Sequence, residues 1–169
     1  MVKLLISFIA MVLLFGCSSK GEKELREAYS QDISYHKQLQ KTEKLQLYQD
    51  QETKVMLTAT YLYIRNFEKN DTRDEEFIIA VHENEKAFGN INSRDYNLTL
   101  NGQVPKEIHT LKRNDKRLKD LSFVTDWADY YLVTFPHVSD KNITLVYENK
   151  VYGKGTMHFA KVAKYVLEE

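Results

Sequence analysis

Hydrophobic positions along this chain change their period as it proceeds. Leu4 to Phe15 is almost wholly apolar and follows a short positive start, Met1-Val2-Lys3. At about 12 residues this run is too short to span a bilayer as a helix, which takes ~20. Glu22 to Gln51 is polar, rich in Glu, Lys, Gln and Leu, and free of Pro. Leu25, Tyr29 and Ile33 fall at i, i+4 and i+8; His36 and Leu39 continue raggedly, and Leu45 and Tyr48 resume the stripe. That spacing predicts a helix with one apolar edge and a break near Thr42. Such a helix either serves as a stalk or partner-binding surface, or lies on its own domain.

From about Thr53 the period shortens to two. Val55, Leu57, Ala59, Tyr61 and Tyr63 alternate as a strand requires. Phe77 to Val81 is a short apolar run that suits a central strand. Tyr96, Leu98 and Leu100 alternate and lead into Asn101-Gly102, which supplies the positive φ angles of a two-residue hairpin turn. The returning strand is expected from Gln103 to Leu111, with Pro105 marking an edge or a bulge. Leu111 to Leu121 is strongly charged and reads as a loop. Asp129 to Phe135 is a strand ended by Pro136, and Ile143, Leu145 and Tyr147 alternate again. Gly153-Lys154-Gly155-Thr156 reads as a hairpin turn rather than a phosphate loop, whose spacing it lacks. Thr156 to Val166 is the last strand, although Phe159, Val162 and Val166 also suit a helix.

Short strands without helical patterns between them exclude parallel crossovers. The fold expected is mainly β, an antiparallel two-sheet sandwich, immunoglobulin-like in architecture, preceded by the N-terminal helix. Eleven Tyr and eight Phe against six Gly and two Pro fit a sheet protein rather than a disordered one. Trp127 is expected to help fill the core, although its place before a strand does not match the antibody pattern.

Leu14-Phe15-Gly16-Cys17 closes the apolar run with the chain's one cysteine, and Ser18-Ser19-Lys20 follows. This resembles a bacterial lipoprotein signal peptide with its lipobox. The resemblance implies cleavage before Cys17, lipid on the Cys17 sulfur and a stable membrane anchor, since several acyl chains hold where one is marginal. Ser18 after the cysteine resembles the sorting pattern for the outer membrane, on its periplasmic or surface face. The alternative is an uncleaved hydrophobic N-terminus. The resulting organisation is a signal peptide over 1–16, a lipidated tether and polar helix over 17–52, and a β-sandwich over 53–169. With its one cysteine lipidated, the fold stands without disulfides. Twenty-four basic against 24 acidic residues give no field that would attract nucleic acid.

Asn70, Asn97 and Asn142 each lie in an N-x-T sequon, and each has an acid two residues earlier: Glu68, Asp95 and Asp140. This extended form resembles the acceptor of the general bacterial N-glycosylation system. With 24 acids in 169 residues, chance places an acid at all three roughly three times in a thousand. Asn97 with Thr99, and Asn142 with Thr144, share the outward face of their strands. Asn70 sits in a charged loop and ranks first as an acceptor, then Asn142, then Asn97.

Candidate chemistry is sparse. His36, His82, His109, His137 and His158 show no metal-ligand spacing. No nucleophile elbow is present, and abundant acids single out no catalytic pair. No residue is assigned to catalysis, a cofactor or a metal. The basic residues Lys112, Arg113, Lys116, Arg117 and Lys119 alternate with Asp115 and Asp120 and read as a solvated loop. Trp127, Tyr130 and Tyr131 cluster between that loop and a strand, and large amphipathic aromatics are common binding anchors. The function expected is a non-catalytic envelope lipoprotein that binds or scaffolds a protein partner. A surface adhesin or antigen, or an envelope enzyme acting on glycans or peptides, are the other classes.

Overall fold

The computed structural model describes residues 38–64, 71–84, 91, 96–119, 121 and 124–161. Cys17, the expected signal peptide, the part of the expected helix before residue 38, Asn70 and the expected strand end at Val162 to Val166 lie outside the described residues. Among the described residues, eight strands form two antiparallel sheets: β1 (Thr42–Gln49), β2 (Glu52–Tyr61), β3 (Glu75–Glu83), β4 (Tyr96–Leu100), β5 (Glu107–Leu111), β6 (Asp129–Phe135), β7 (Asn142–Asn149) and β8 (Gly153–Ala160). The larger sheet, sheet A, runs β1-β2-β3-β6-β5; the smaller, sheet B, runs β4-β7-β8. With β1 set aside, this is the four-plus-three strand order of immunoglobulin constant-type sandwiches.

Alternation along each strand builds the core. Leu57, Ala59 and Tyr61 on β2, Phe77 and Ile79 on β3, and Val133 and Phe135 on β6 face Leu98, Leu100, Ile143, Leu145, Tyr147, Met157 and Phe159 from sheet B. Phe77 stands at the centre. Its ring lies 4.7 Å from that of Tyr61, 5.8 Å from Phe135 and 5.2 Å from Phe159, the last two edge-on. Edge-on aromatic pairs contribute beyond their buried area. Of the two, Phe77–Phe159 joins the sheets, whereas Phe77–Phe135 ties β3 to β6 within sheet A.

One end of the sandwich is tied by charge. Glu75, 1% exposed, accepts from the Tyr61 hydroxyl, from the Val138 N–H at 3.0 Å and from the Lys161 ammonium, which also donates to the Val138 carbonyl. Burial, and then the Glu75 hydrogen bond, push the Tyr61 hydroxyl pKa far above the ordinary phenol range. The other end holds Tyr96 stacked on Tyr147, rings 5.2 Å apart.

Three expectations are corrected. The expected helix does not occupy residues 42–51: Thr42–Gln49 is an edge strand, and the sheet begins there rather than at residue 53. Asp50 and Gln51 make the turn into β2 with φ of 51° and 67°. The Asn101-Gly102 turn does form, with φ of 46° and 82° and paired bonds between Leu100 and Gln103. It does not make a β4–β5 hairpin, however, because after Gln103 the chain crosses to sheet A, where β5 pairs with β6. Finally, Gly153–Thr156 opens β8 instead of forming a turn. The turn precedes it, where the Asn149 side chain accepts from the Val151 and Tyr152 N–H groups and Gly153 takes φ of 87°. Gly155 is needed as glycine because a Cβ there would lie 2.0 Å from Leu45 Cδ1.

Candidate functional site

The outer faces of the two sheets differ in chemistry. On sheet B the outward positions are Asn97, Thr99, Asn142, Thr144, Val146, Glu148, Thr156 and His158, all exposed or half-buried. This is a solvated surface. On sheet A they include Ile78, Ala80, Tyr130, Leu132 and Met56. An apolar row on an outer face needs a cover. The β5–β6 connection supplies part of it. Its 3-10 turn, Lys116–Leu118, is capped by Asp115, and Leu118 packs with Ile78, Leu111, Ala128 and Tyr130 into a second small core. The cover stops at β3. Beyond it, over β1 and β2, lies an open groove of about 330 Å³ with Gln46, Met56, Thr58, Ala80 and His82 as floor and Val124 to Ala128 as wall.

Trp127 stands on this wall, 55% exposed, beside Val124 at 42%. Several contacts hold it. The His82 Nδ1–H donates to the Trp127 carbonyl at 3.0 Å; a carbonyl only accepts, so the proton sits on Nδ1. The two rings meet edge-on, 4.5 Å apart. The Arg113 guanidinium donates to the Asp126 carbonyl. Behind the wall, the Tyr130 hydroxyl accepts from the Thr125 N–H at 2.6 Å and donates to the Thr125 carbonyl at 3.2 Å. The indole is therefore presented on a fixed turn rather than a loose loop, which lowers the entropy lost when a ligand covers it.

The expected aromatic cluster is thus divided. Tyr130 and Tyr131 are 2% and 3% exposed and point to opposite sides of β6, as neighbours in a strand must. Tyr131 belongs to the main core and burial raises its hydroxyl pKa. Tyr130 belongs to the second core and positions the wall. Neither offers a binding surface, and Trp127 does not fill the core. The groove residues absent from the sequence reading, Gln46, Met56 and Val124, carried no motif. His82 was weighed as a metal ligand alone, although its outward position at the end of β3 is what brings it to Trp127.

The remaining expected residues are placed as follows. Asn97 and Asn142 are exposed on the outward face of sheet B. Around Asn142 the motif is bound up: the Thr144 N–H donates to Asn101 Oδ1 at 2.8 Å, the Thr144 hydroxyl lies 3.2 Å from His158 Nδ1, and Asp140 accepts from Asn101 Nδ2 at 3.3 Å. The described histidines lie apart: His82 at Trp127, His109 beside Glu107, His137 2.9 Å from the Arg73 carbonyl and 3.5 Å from Glu75, and His158 beside Thr144. Among the described residues, no group of three or more His, Cys, Asp or Glu is arranged to hold a metal. A second cleft of about 430 Å³ runs along Leu62 to Ile64, Arg73 to Glu76 and Thr134. Its cation Arg73 is engaged by Asp71, and Asp74 by Lys106.

The chain matches no protein-family model, no curated protein and no solved structure.

Proposed function

We propose that this protein is a non-catalytic, lipid-anchored binding module of the cell envelope that holds a protein partner on the outer face of sheet A. The observation that carries the reading is Trp127, more than half exposed and fixed by His82 on the wall of an apolar groove. Tryptophan and methionine are enriched at protein interfaces, and a central aromatic anchor beside a pocket is the usual energetic focus. Sheet B, faced with Asn and Thr, offers no such anchor and suits solvent or glycan. The lipid on Cys17 supplies the rest of the mechanism. Confinement at the outer membrane raises the effective concentration of the module, so one groove of modest area suffices. Cleavage before Cys17, acylation there, and glycosylation at one or more of Asn70, Asn97 and Asn142 belong to the same reading.

The test is photo-crosslinking in intact cells. A benzophenone amino acid at Trp127 is expected to yield a discrete adduct with one envelope protein, and the same probe at Thr99 on sheet B to yield none. Identical adduct patterns from both positions overturn the assignment of the face. Radiolabelled palmitate entering the native chain but not Cys17→Ala tests the anchor separately.

A further inference from the structure

Strand β1 is held differently from the rest of the sandwich. Strands β2 to β8 already complete the four-plus-three order, and β1 extends the edge of sheet A beside β2. Of its eight residues only Leu47 is buried. The turn that joins it to β2 places two consecutive non-glycine residues, Asp50 and Gln51, at positive φ. In that region the Cβ of an L residue presses on the neighbouring carbonyl oxygen. Two-residue turns of this type use Asn-Gly for that reason, as Asn101-Gly102 does elsewhere in the same chain. No Gly, Pro or Asn occurs between Thr42 and Tyr61. Asp50 tolerates that region, but Gln51 stands where such a turn calls for Gly, and it is the residue the turn does not suit. If the segment straightens, Leu45 and Leu47 share parity with Val55 and Leu57, so both apolar rows lie on one side of a continuous strand.

We propose that the protein forms a two-fold dimer by exchanging β1 between two copies. In this dimer Thr42–Gln49 of each copy leaves its own sheet and pairs with β2 of the second copy. The register from Thr42↔Thr60 to Gln49↔Glu52, the burial of Leu47 and the seating of Leu45 over Gly155 are all remade between chains. Asp50 and Gln51 return to extended backbone. The closed and exchanged forms therefore differ mainly by the relief of the left-handed turn, Gln51 above all, in each copy, set against the entropy of joining two molecules. A short hinge under strain is the setting in which strand exchange is favoured. The exchange leaves the groove wall at Trp127 in place, because the β5–β6 connection builds it, while the β1 side of the floor, Gln46 included, is then supplied by the second copy.

Gln46 and Met56 are partners across the β1–β2 ladder. The full-length chain carrying Cys17→Ser, Gln46→Cys and Met56→Cys holds no other thiol. Oxidised at high protein concentration, it is expected to run as a covalent dimer on a non-reducing gel with both thiols consumed and residues 46 and 56 linked between chains. Replacing Asp50-Gln51 by Asn-Gly in the same chain is expected to lower the dimer share roughly tenfold, because the turn is then at ease. Light scattering on the two turn variants without the engineered thiols gives a second measure: a dimer with Asp50-Gln51 and a monomer with Asn-Gly. An intramolecular disulfide alone, or equal masses for the two turns, overturns the proposal.

Discussion

Replacing Lys161 by Met probes the buried charge at the end of the sandwich. The Lys161 ammonium pairs with Glu75, their side chains being 11% and 1% exposed, and lies 5.5 Å from the centre of the Tyr63 ring; Met keeps most of the aliphatic stem and removes the charge from both contacts. The loss is therefore electrostatic. A charged hydrogen bond contributes about 1.5–3 kcal/mol, and removing one partner of a buried ion pair costs about 3–5 kcal/mol because the other charge stays buried. Glu75 keeps the Tyr61 hydroxyl, the Val138 N–H and His137 at 3.5 Å, which places the cost near the lower end, about 3 kcal/mol. In urea denaturation followed by circular dichroism, at about 2 kcal/mol per molar, the midpoint falls by about 1.5 M. The double variant Glu75→Gln with Lys161→Met removes the stranded charge and is expected to recover at least half of the loss. A midpoint shift below about 0.5 M, or a double variant no more stable than the single one, refutes the claim that a buried carboxylate is being neutralised.

Other expectations follow from single contacts. Gly155→Val drives a branched side chain into Leu45 and lowers stability by about 1–3 kcal/mol, with Leu45→Ala in the same chain restoring part of it in thermal melts. Tyr130→Phe frees the Thr125 backbone, so emission from Trp127, the chain's one tryptophan, loses anisotropy while the global melt moves little. The Arg117 side chain holds the Asp115 carboxyl at about 2, so any stability it lends is full above the ordinary Asp range and is lost as pH falls towards about 2. NMR titration of Arg117→Ala is expected to raise Asp115 towards the usual carboxylate range but to leave it below, because the backbone N–H of residue 117 still donates to it. The contacts around Asn142 reverse the order expected from the sequence, which placed Asn142 ahead of Asn97: in a host with the transferase, intact mass of Asn97→Gln and Asn142→Gln is expected to show more modification at Asn97, on an edge strand, than at Asn142, whose motif is tied to Asn101 and His158; equal occupancy contradicts this.

The period of the apolar residues was enough to define β2, β3, β4, β6 and β7, because each buries one face or both and leaves that record in the chain. β6 was read at its true bounds, Asp129 to Phe135, and the antiparallel sandwich followed from the spacing of the strands. What the sequence did not carry was anything that depends on which surface meets which. β1 is an edge strand with one buried residue, so its polar pattern resembles a helix face, and its turn lacks the residues that announce one. Asn101-Gly102 fixes a reversal but not the strand's next partner, and β5 pairs with β6 in the opposite sheet from β4, a choice that no residue of the turn records. The same holds for the groove: in the chain Trp127, Tyr130 and Tyr131 are neighbours, but strand alternation buries two of them on opposite faces and leaves the first to be met by His82, 45 residues away. Local order is written by nearest neighbours, whereas exposure is decided by what packs on top, and only the assembled fold contains that.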